Sequence, residues 1–485
     1  MSHFMDFRFE YYSVTLRKLQ RSYKAILFIY ISLIYGAFLE EVKAGAFGLR
    51  EVSAAGEAVS LAGAAAGGAG LGSIYFNPAT VTQFDGLQIG ANTTLILPYS
   101  QLKNQNTSSA GYNTYYNVLG GSASSGNIGL IGNIPSGQIT YRLNQDVWLG
   151  LSLFVPYGQA TKAKQDYVGR DYGSTTKVAS AEIEPMIGYQ VSDRLSIGAG
   201  LRYLDFSARY TSAMPAASAP DQWKVLGIYG DGQAFGYNLG MTYKPWVNTE
   251  IGLAYRSETN VRLNGQFFGG ASQAASFGGS AALASATLDQ PVHMNLRLPQ
   301  TITLGVKQKM TADWTLLGAF EYVQWSILKS PQVTYAQSGS TLAANWSAGQ
   351  SHMAVPSIPL YYRDAWFVSA GSEYRYNQTL LLRSGLGYEK TPLGPNASST
   401  RLPDFNRIWA SLGLSYALSP QWTVDVAYLH IFLLGDHLSI DKNSTGYSPA
   451  LANAGLGTLN AKVDAHVDII SLGLTYKFDS GPTRK

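Results

Sequence analysis

Three groupings in this chain carry residue types that do chemistry in other settings. His437-Leu438-Ser439 has the spacing of a serine and histidine pair, the arrangement of a lipid hydrolase at a membrane surface, but no acid or amide partner is evident beside it. Gly68-Ala69-Gly70-Leu71-Gly72 suggests a phosphate-cradling loop, yet it follows no strand pattern and lacks the closing Gly-Lys-Ser/Thr, so flexibility accounts for it. The six histidines show no H-x-x-x-H spacing and there is no cysteine, which removes thiolate metal sites, disulfides and cysteine nucleophiles together. No metal or cofactor is expected. What remains is a set of charges sent to one face by a two-residue period: Arg202, Arg256, Lys307 and Arg383, with Glu182, Glu184, Glu321 and Asp425. The basic members have the chemistry to hold a carboxylate by charge-assisted hydrogen bonds. The same residues could equally pair with the acids beside them.

The elements that must position these charges are strands. Leu195, Ile197, Ala199, Leu201 and Tyr203 alternate with Ser196, Gly198, Gly200 and Arg202. The same alternation recurs in Leu380, Leu382, Leu386 and Tyr388 against Arg383, Gly385 and Gly387, and again in Ile470, Leu472, Leu474, Tyr476 and Phe478. Tight polar breaks fall at residues 144–146, 192–194, 245–248, 311–313, 377–378 and 419–421, while the other connections are long and rich in Gly, Ser, Ala, Asn and Thr, as in residues 104–132 and 265–290. Six tight turns imply twelve strands. A first strand at residues 86–97 and a closing strand at 468–478 bring the number to about fourteen. Each strand has one oily face, and lipid can cover all of those faces provided the sheet closes on itself and satisfies its backbone groups. The fold expected is therefore all-β, a transmembrane antiparallel barrel with short turns on one side and long extracellular loops on the other.

Bulk composition agrees. Only 14% of residues are charged, against 51 glycines and 32 tyrosines in 485 residues, and a soluble surface ordinarily carries about 25% charge. A formal net charge of +4 with no dense Lys/Arg cluster beyond residue 50 gives no nucleic-acid footprint. At the N-terminus, Arg17, Lys18, Arg21 and Lys24 precede an apolar run at residues 25–39, and Val42-Lys43-Ala44 supplies small residues for cleavage. Residues 1–44 thus read as a secretory signal peptide, with Glu40 and Glu41 atypical for one. The barrel is then residues 86–478, with a tail at 479–485.

Residues 45–85 are not strand-like and are too few for an independent domain, so they are expected to pack inside the barrel as a plug. Asn77 is placed to cap a helical turn that starts with Pro78. Here a resemblance becomes specific. Phe47, Leu49 and Glu51, followed by small residues into Tyr75-Phe76-Asn77-Pro78-Ala79, resemble the hatch of the FadL/TodX family of outer-membrane transporters. Downstream, Tyr362-Arg363-Asp364-Ala365-Trp366, the run from Leu382 to Pro392, Leu402-Pro403-Asp404 with Arg407, and Leu298-Pro299 with Trp325-Ser326 are similar to that family too. One departure is the tail beyond Phe478, since the family's last strand ends on an aromatic residue read by the barrel-assembly machinery.

The resemblance implies passive uptake of long-chain fatty acids or aromatic hydrocarbons across a Gram-negative outer membrane. Ligand would enter an apolar groove among the extracellular loops, pass to a lumen pocket, and leave sideways into the membrane after a hatch movement. Transfer of apolar surface, about 25 cal/mol per Å², would drive it. Phe47 would sit at the hatch terminus near ligand, and Asn77, Pro78 and Ala79 would hold the hatch to the wall. Gly150, in the strand at residues 147–157, is a candidate kink for the lateral opening. The partners expected are the hydrophobic ligand, outer-membrane lipid and the assembly machinery, with no nucleic acid. A general diffusion porin and an outer-membrane lipid hydrolase are the rival readings.

Overall fold

The computed structural model describes residues 47–105, 121–170, 172–216, 219–268, 290–335, 360–394, 396–397, 399–445 and 458–478. The segments read as signal peptide and C-terminal tail lie outside the described residues.

The wall is a closed, fourteen-strand antiparallel barrel. Its strands are β1 (Leu87–Asn104), β2 (Ser124–Asn127 and Gly132–Arg142), β3 (Val147–Phe154 and Gly158–Lys162), β4 (Thr175–Ser192) and β5 (Leu195–Ala216). Next come β6 (Ala219–Trp246), β7 (Thr249–Arg256 and Thr259–Phe268), β8 (Gln290–Leu298 and Thr301–Lys309), β9 (Trp314–Val323) and β10 (Ala365–Arg375). The ring is completed by β11 (Leu380–Glu389), β12 (Arg407–Ala417), β13 (Trp422–Leu433 and His437–Ile440) and β14 (Leu459–Lys477). Neighbours in the chain pair all the way round, and β14 closes on β1 in one unbroken register from Gln88↔Lys477 to Asn104↔Ala461. Closure joins the last strand to the first, so the sheet has no terminal edge strand facing lipid. The six short turns fall where the polar breaks of the sequence put them.

The period-two pattern is turned inside out relative to a soluble protein. Leu412 is 65% exposed while its neighbour Ser411 is 4% exposed. Leu201, Phe235, Leu386, Ile470 and Leu472 likewise point away from the bore. A ring of aromatic residues near the short turns, including Trp422 with Tyr476 at 4.5 Å between centroids, marks the lower border of this oily band.

The bore is filled by residues 47–84, folded as short turns: α1 (Ala54–Glu57), α2 (Ser73–Phe76) and 3-10 turns at Ala64–Ala66, Gly70–Gly72 and Pro78–Gln83. Regular helix is limited here because glycines interrupt the segment, and α1 is a single turn whose N-terminus is capped by Ser53, the side chain accepting from Gly56 N. The small residues let this backbone lie directly on the wall. A Cβ on Gly252 would come within 1.8 Å of the Ala65 carbonyl oxygen, and one on Gly240 within 1.9 Å of Asn77 Oδ1. The inward glycines of the strands are therefore the seat of the plug, in addition to being lumen-facing small residues.

Candidate functional site: the hatch terminus, the wall gap and the lumen pocket

The wall is interrupted once beside the plug's first residues. β2 pairs with β3 only from Gly137↔Leu153 to Arg142↔Trp148, whereas Gly132 to Ser136 are paired to β1 alone. β3 stops at Phe154 because Val155-Pro156 follows, and proline has no N–H to give a ladder. It resumes at Gly158, paired with β4. A notch is thus left between Gly132–Ser136 of one strand and residues 155–157 of the next.

The plug closes this notch as a short substitute strand. Gly48 bridges Tyr157, Leu49 N donates to Pro156 O at 2.8 Å and Gly158 N donates to Phe47 O at 2.8 Å. On the other lip, Ser136 Oγ donates to Val52 O. Phe47 then turns its ring inward, 2% exposed, into an aromatic box. Its centroid lies 5.1 Å from Trp325, 5.8 Å from Tyr157 and 6.3 Å from Phe206. Leu204, Val261, Leu296, Leu298, Val323 and Tyr362 continue the apolar surface around it.

Gly150 lies elsewhere. It sits in an unbroken ladder, paired to Thr140 and Met186, and a Cβ there would meet Met186 Cγ at 2.6 Å and Val81 Cγ2 at 3.1 Å. The strand breaks five residues further on, at Val155. The expectation of a kink at Gly150 is corrected accordingly: that glycine accommodates the packing of Val81, and proline is what ends the ladder.

Beneath the box a cavity of about 60 Å³ is lined by Arg50, Tyr75, Phe76, Arg202, Arg256, Glu321 and Trp325, among others. Its charges are paired. Arg202 Nε donates to Glu182 Oε2 at 2.9 Å and Nη1 to Ser257 O. Arg256 Nη1 donates to Glu184 Oε2 and to Tyr75 O, both at 2.8 Å, while Nη2 reaches Glu182. From the hatch, Arg50 reaches Glu321 at 2.6 Å and Glu389 at 2.8 Å. Burial works against the charged Arg50 guanidinium, but the two carboxylates hold its pKa well above the ordinary arginine value. Arg407 pairs with Asp404 and approaches Glu389 at 3.8 Å. Of the other basic candidates, Arg383 is held by Glu373 and Asp425 in a separate cluster. Lys307 is half-buried near the short turns, in register with Glu250. Arg202 and Arg256 therefore share the pocket, and Lys307 and Arg383 do not.

Asn77 accepts from Ala79 N at 3.0 Å and donates through Nδ2 to Ala65 O at 2.7 Å and to Met241 O of β6 at 2.9 Å. One side chain thus fixes the plug internally and to the wall. Glu57 makes a second attachment: its carboxylate accepts from Thr94 Oγ1 of β1 at 3.0 Å and from Ser471 Oγ of β14, across the seam where the barrel closes. No cation lies within ion-pair distance of it among the described residues. Burial pushes its pKa up to about 8, the Ser471 hydrogen bond pulls against this, and the Glu51 carboxylate adds to it.

This arrangement of plug, notch and pocket can be set beside known proteins. The family model described as outer membrane protein transport protein (OMPP1/FadL/TodX) matches residues 38–478. The chain belongs to this family. It is an outer-membrane, multi-pass β-barrel. A putative outer membrane protein of Neisseria meningitidis, NMB0088, is 27% identical over 466 residues, covering 89% of this chain and 94% of the relative. The long-chain fatty acid transport protein of Shigella flexneri is 24% identical over 419 residues, covering 79% and 87%. Among solved structures, a Pseudomonas aeruginosa FadL homologue superposes with a TM-score of 0.75 at 21% identity, covering 90% of this chain and all of that one.

Sequence reasoning missed Arg50, Pro156, Tyr157 and Phe206. Pro156 carried a readable signal, since proline within a strand pattern marks a break. Trp325 and Pro299, noted only for their resemblance, both line the pocket. Phe206 looked like any other alternating residue.

Proposed function

We propose that this barrel carries uncharged or weakly polar hydrophobic small molecules inward, by letting the ligand take the place of the Phe47 ring. The observation that carries the proposal is the seat of that ring: a residue of the chain's own plug occupies an aromatic box of the kind a hydrocarbon would seek. The cavity beneath, about 60 Å³, is smaller than the roughly 150 Å³ that admits benzene, so entry requires Phe47 to leave. Its departure pulls on Gly48 and Leu49, whose hydrogen bonds close the notch between β2 and β3. Release of that substitute strand would open a sideways exit at the depth of the oily band. Neutralisation of Arg50, Arg202 and Arg256 by carboxylates favours an apolar occupant there over an anionic one, because a carboxylate would have to displace Glu182, Glu184 or Glu321.

A second reading, for a ligand with one acidic head, rests on Arg401. It lies in the connection between β11 and β12, over the Tyr210 ring at 5.6 Å. Among the described residues its guanidinium donates to Thr175 O, Thr176 Oγ1, Thr211 O and Ser212 Oγ. No carboxylate pairs with it among the described residues, and burial lowers its pKa to about 10. An anion arriving above the box would find this charge available. His437 and Ser439 sit on the outward face of β13, away from box and pocket, and take no part in either reading.

The chain has no cysteine, so the hatch can be locked cleanly. A Gly48→Cys/Tyr157→Cys pair joins the two bridged positions. In cells lacking other hydrophobic-compound transporters, uptake of labelled toluene or oleate should stop when the pair is oxidised and return on reduction. Equal uptake in both redox states would refute the hatch-release route.

A further inference from the structure

Outside the lumen, the outward face of β13, β14 and β1 carries a feature that transport does not use. Lys103 of β1 is paired directly with Lys462 of β14, and Lys462 is paired on its other side with His437 of β13. All three are exposed, while Leu102, Ala461, Val463 and Leu438 between them are buried toward the bore. Side chains directly opposite across strands stand about 5 Å apart, and like charges there are destabilising. None of the three side chains forms a hydrogen bond or ion pair among the described residues. The flanking loop segments at residues 106–120 and 446–457 contain no Asp or Glu that could neutralise them. Asp464, the nearest outward acid along β14, forms no ion pair with either lysine.

The height of this row is informative. Lys462 is fourteen residues above Tyr476 of the lower aromatic border. At about 3.3 Å per residue and a tilt of about 40°, that is about 35 Å, beyond an apolar band about 25 Å tall. A shelf of rings lies at the upper border of the band, about 25 Å above Tyr476 on the same scale, and in the step just below it. His466 stacks on Tyr99 with centroids 5.2 Å apart and on His430 at 5.7 Å, and His430 meets Phe432 at 4.2 Å. Asp468 accepts from Tyr428 at 2.6 Å and bonds His430 at 2.7 Å on the same shelf. Reading upward, the surface is oily, then aromatic with hydrogen-bonding groups, then cationic.

We propose that this face binds a phosphorylated glycolipid of the outer leaflet, with acyl chains on the oily band, sugar on the ring shelf and phosphate on Lys103, Lys462 and His437. Four residues separate His466 from Lys462, about 10 Å of height. That spacing suits sugar between acyl chains and phosphate, whereas a phospholipid would place its phosphate at the shelf itself.

The test uses the full barrel reconstituted in phosphatidylcholine vesicles doped with diphosphoryl lipid A, its dephosphorylated form, or phosphatidylglycerol. Lipid retained after detergent extraction is measured by mass spectrometry, and folding is checked by heat-modifiable mobility. The wild type should retain diphosphoryl lipid A in preference to both other lipids, and Lys103→Gln/Lys462→Gln should retain about tenfold less while staying folded. Equal retention by the double variant would overturn the proposal. So would equal retention of the dephosphorylated lipid or of phosphatidylglycerol, or release of lipid A by excess inorganic phosphate as complete as that in the double variant.

Discussion

Glu57→Gln tests whether the plug is tied to the wall by a proton. The wild-type carboxyl is 1% exposed and, among the described residues, bonded to hydroxyls of β1 and β14 alone, with its pKa pushed up from 4.5 to about 8. A raised acid pKa means that the docked plug binds a proton more tightly than the released plug does. Docking stability is therefore fully present below about pH 4.5, falls as pH rises toward 8, and is flat beyond. Each unit of that window is worth about 1.4 kcal/mol, so at pH 7 the docked state has lost about 3 kcal/mol relative to acid conditions. Glutamine keeps the hydrogen-bonding shape without a titrating proton. Its plug should be more stable at pH 7 by about 3 kcal/mol, less any loss from an amide fitting the two hydroxyls imperfectly.

Hydrogen exchange of the plug amides, corrected for intrinsic rates and followed by mass spectrometry in vesicles, reads this free energy directly. Wild-type opening free energy should decline by about one proton's worth per pH unit between 5 and 8, and the variant should show no slope. A flat wild-type profile, or an equal slope in Glu57→Gln, would refute the reasoning and point to another titrating group, with buried Glu51 the next to examine.

The other perturbations address the seat and the pocket. Gly240→Val drives a branched side chain into Asn77 and Pro78, so the plug should detach and planar-bilayer recordings should show open-channel conductance; a silent variant would show that the glycine seat is dispensable. Glu182→Gln removes the carboxylate shared by Arg202 and Arg256. It should lower thermal stability by about 3–5 kcal/mol, the usual effect of stripping one partner from a buried ion cluster. In equilibrium binding it should also shift preference from toluene toward carboxylates, and an unchanged ratio would count against the neutralised-pocket argument.

The barrel could be read from sequence because its requirements are local and repeated. Each strand declares its faces through alternation, as in Ile470, Leu472 and Leu474, and each short turn is announced by its own polar residues. The plug could be anticipated from what it lacks, since residues 45–85 have no pattern able to stand alone. The pocket could not, because its partners are drawn together from distant strands. Arg50 meets Glu321 and Glu389 across separations of 271 and 339 residues. No spacing rule encodes such pairs. Alternation correctly sent Arg202, Arg256, Lys307 and Arg383 inward but carried no height, so two of them fell outside the pocket.

The misplacement of the kink shows where sequence rules compete. Glycine and proline both interrupt strands, yet by different means: glycine removes a side chain and leaves the ladder intact, whereas proline removes a donor and ends it. At Gly150 the missing side chain makes room for Val81. At Pro156 there is no N–H to carry the ladder on, and its carbonyl, facing the plug, accepts from Leu49 N. A donor-poor strand end beside an unpaired stretch of β2 is an incomplete sheet, and the plug's first residues complete it with their own backbone. On the proposed route, occupancy of the box by ligand and opening of the wall would be one equilibrium, because the Phe47 ring that fills the box also anchors the hydrogen bonds that close the notch. On that route no nucleotide is needed: the apolar transfer that brings ligand into the box would also supply the free energy that undoes the seal.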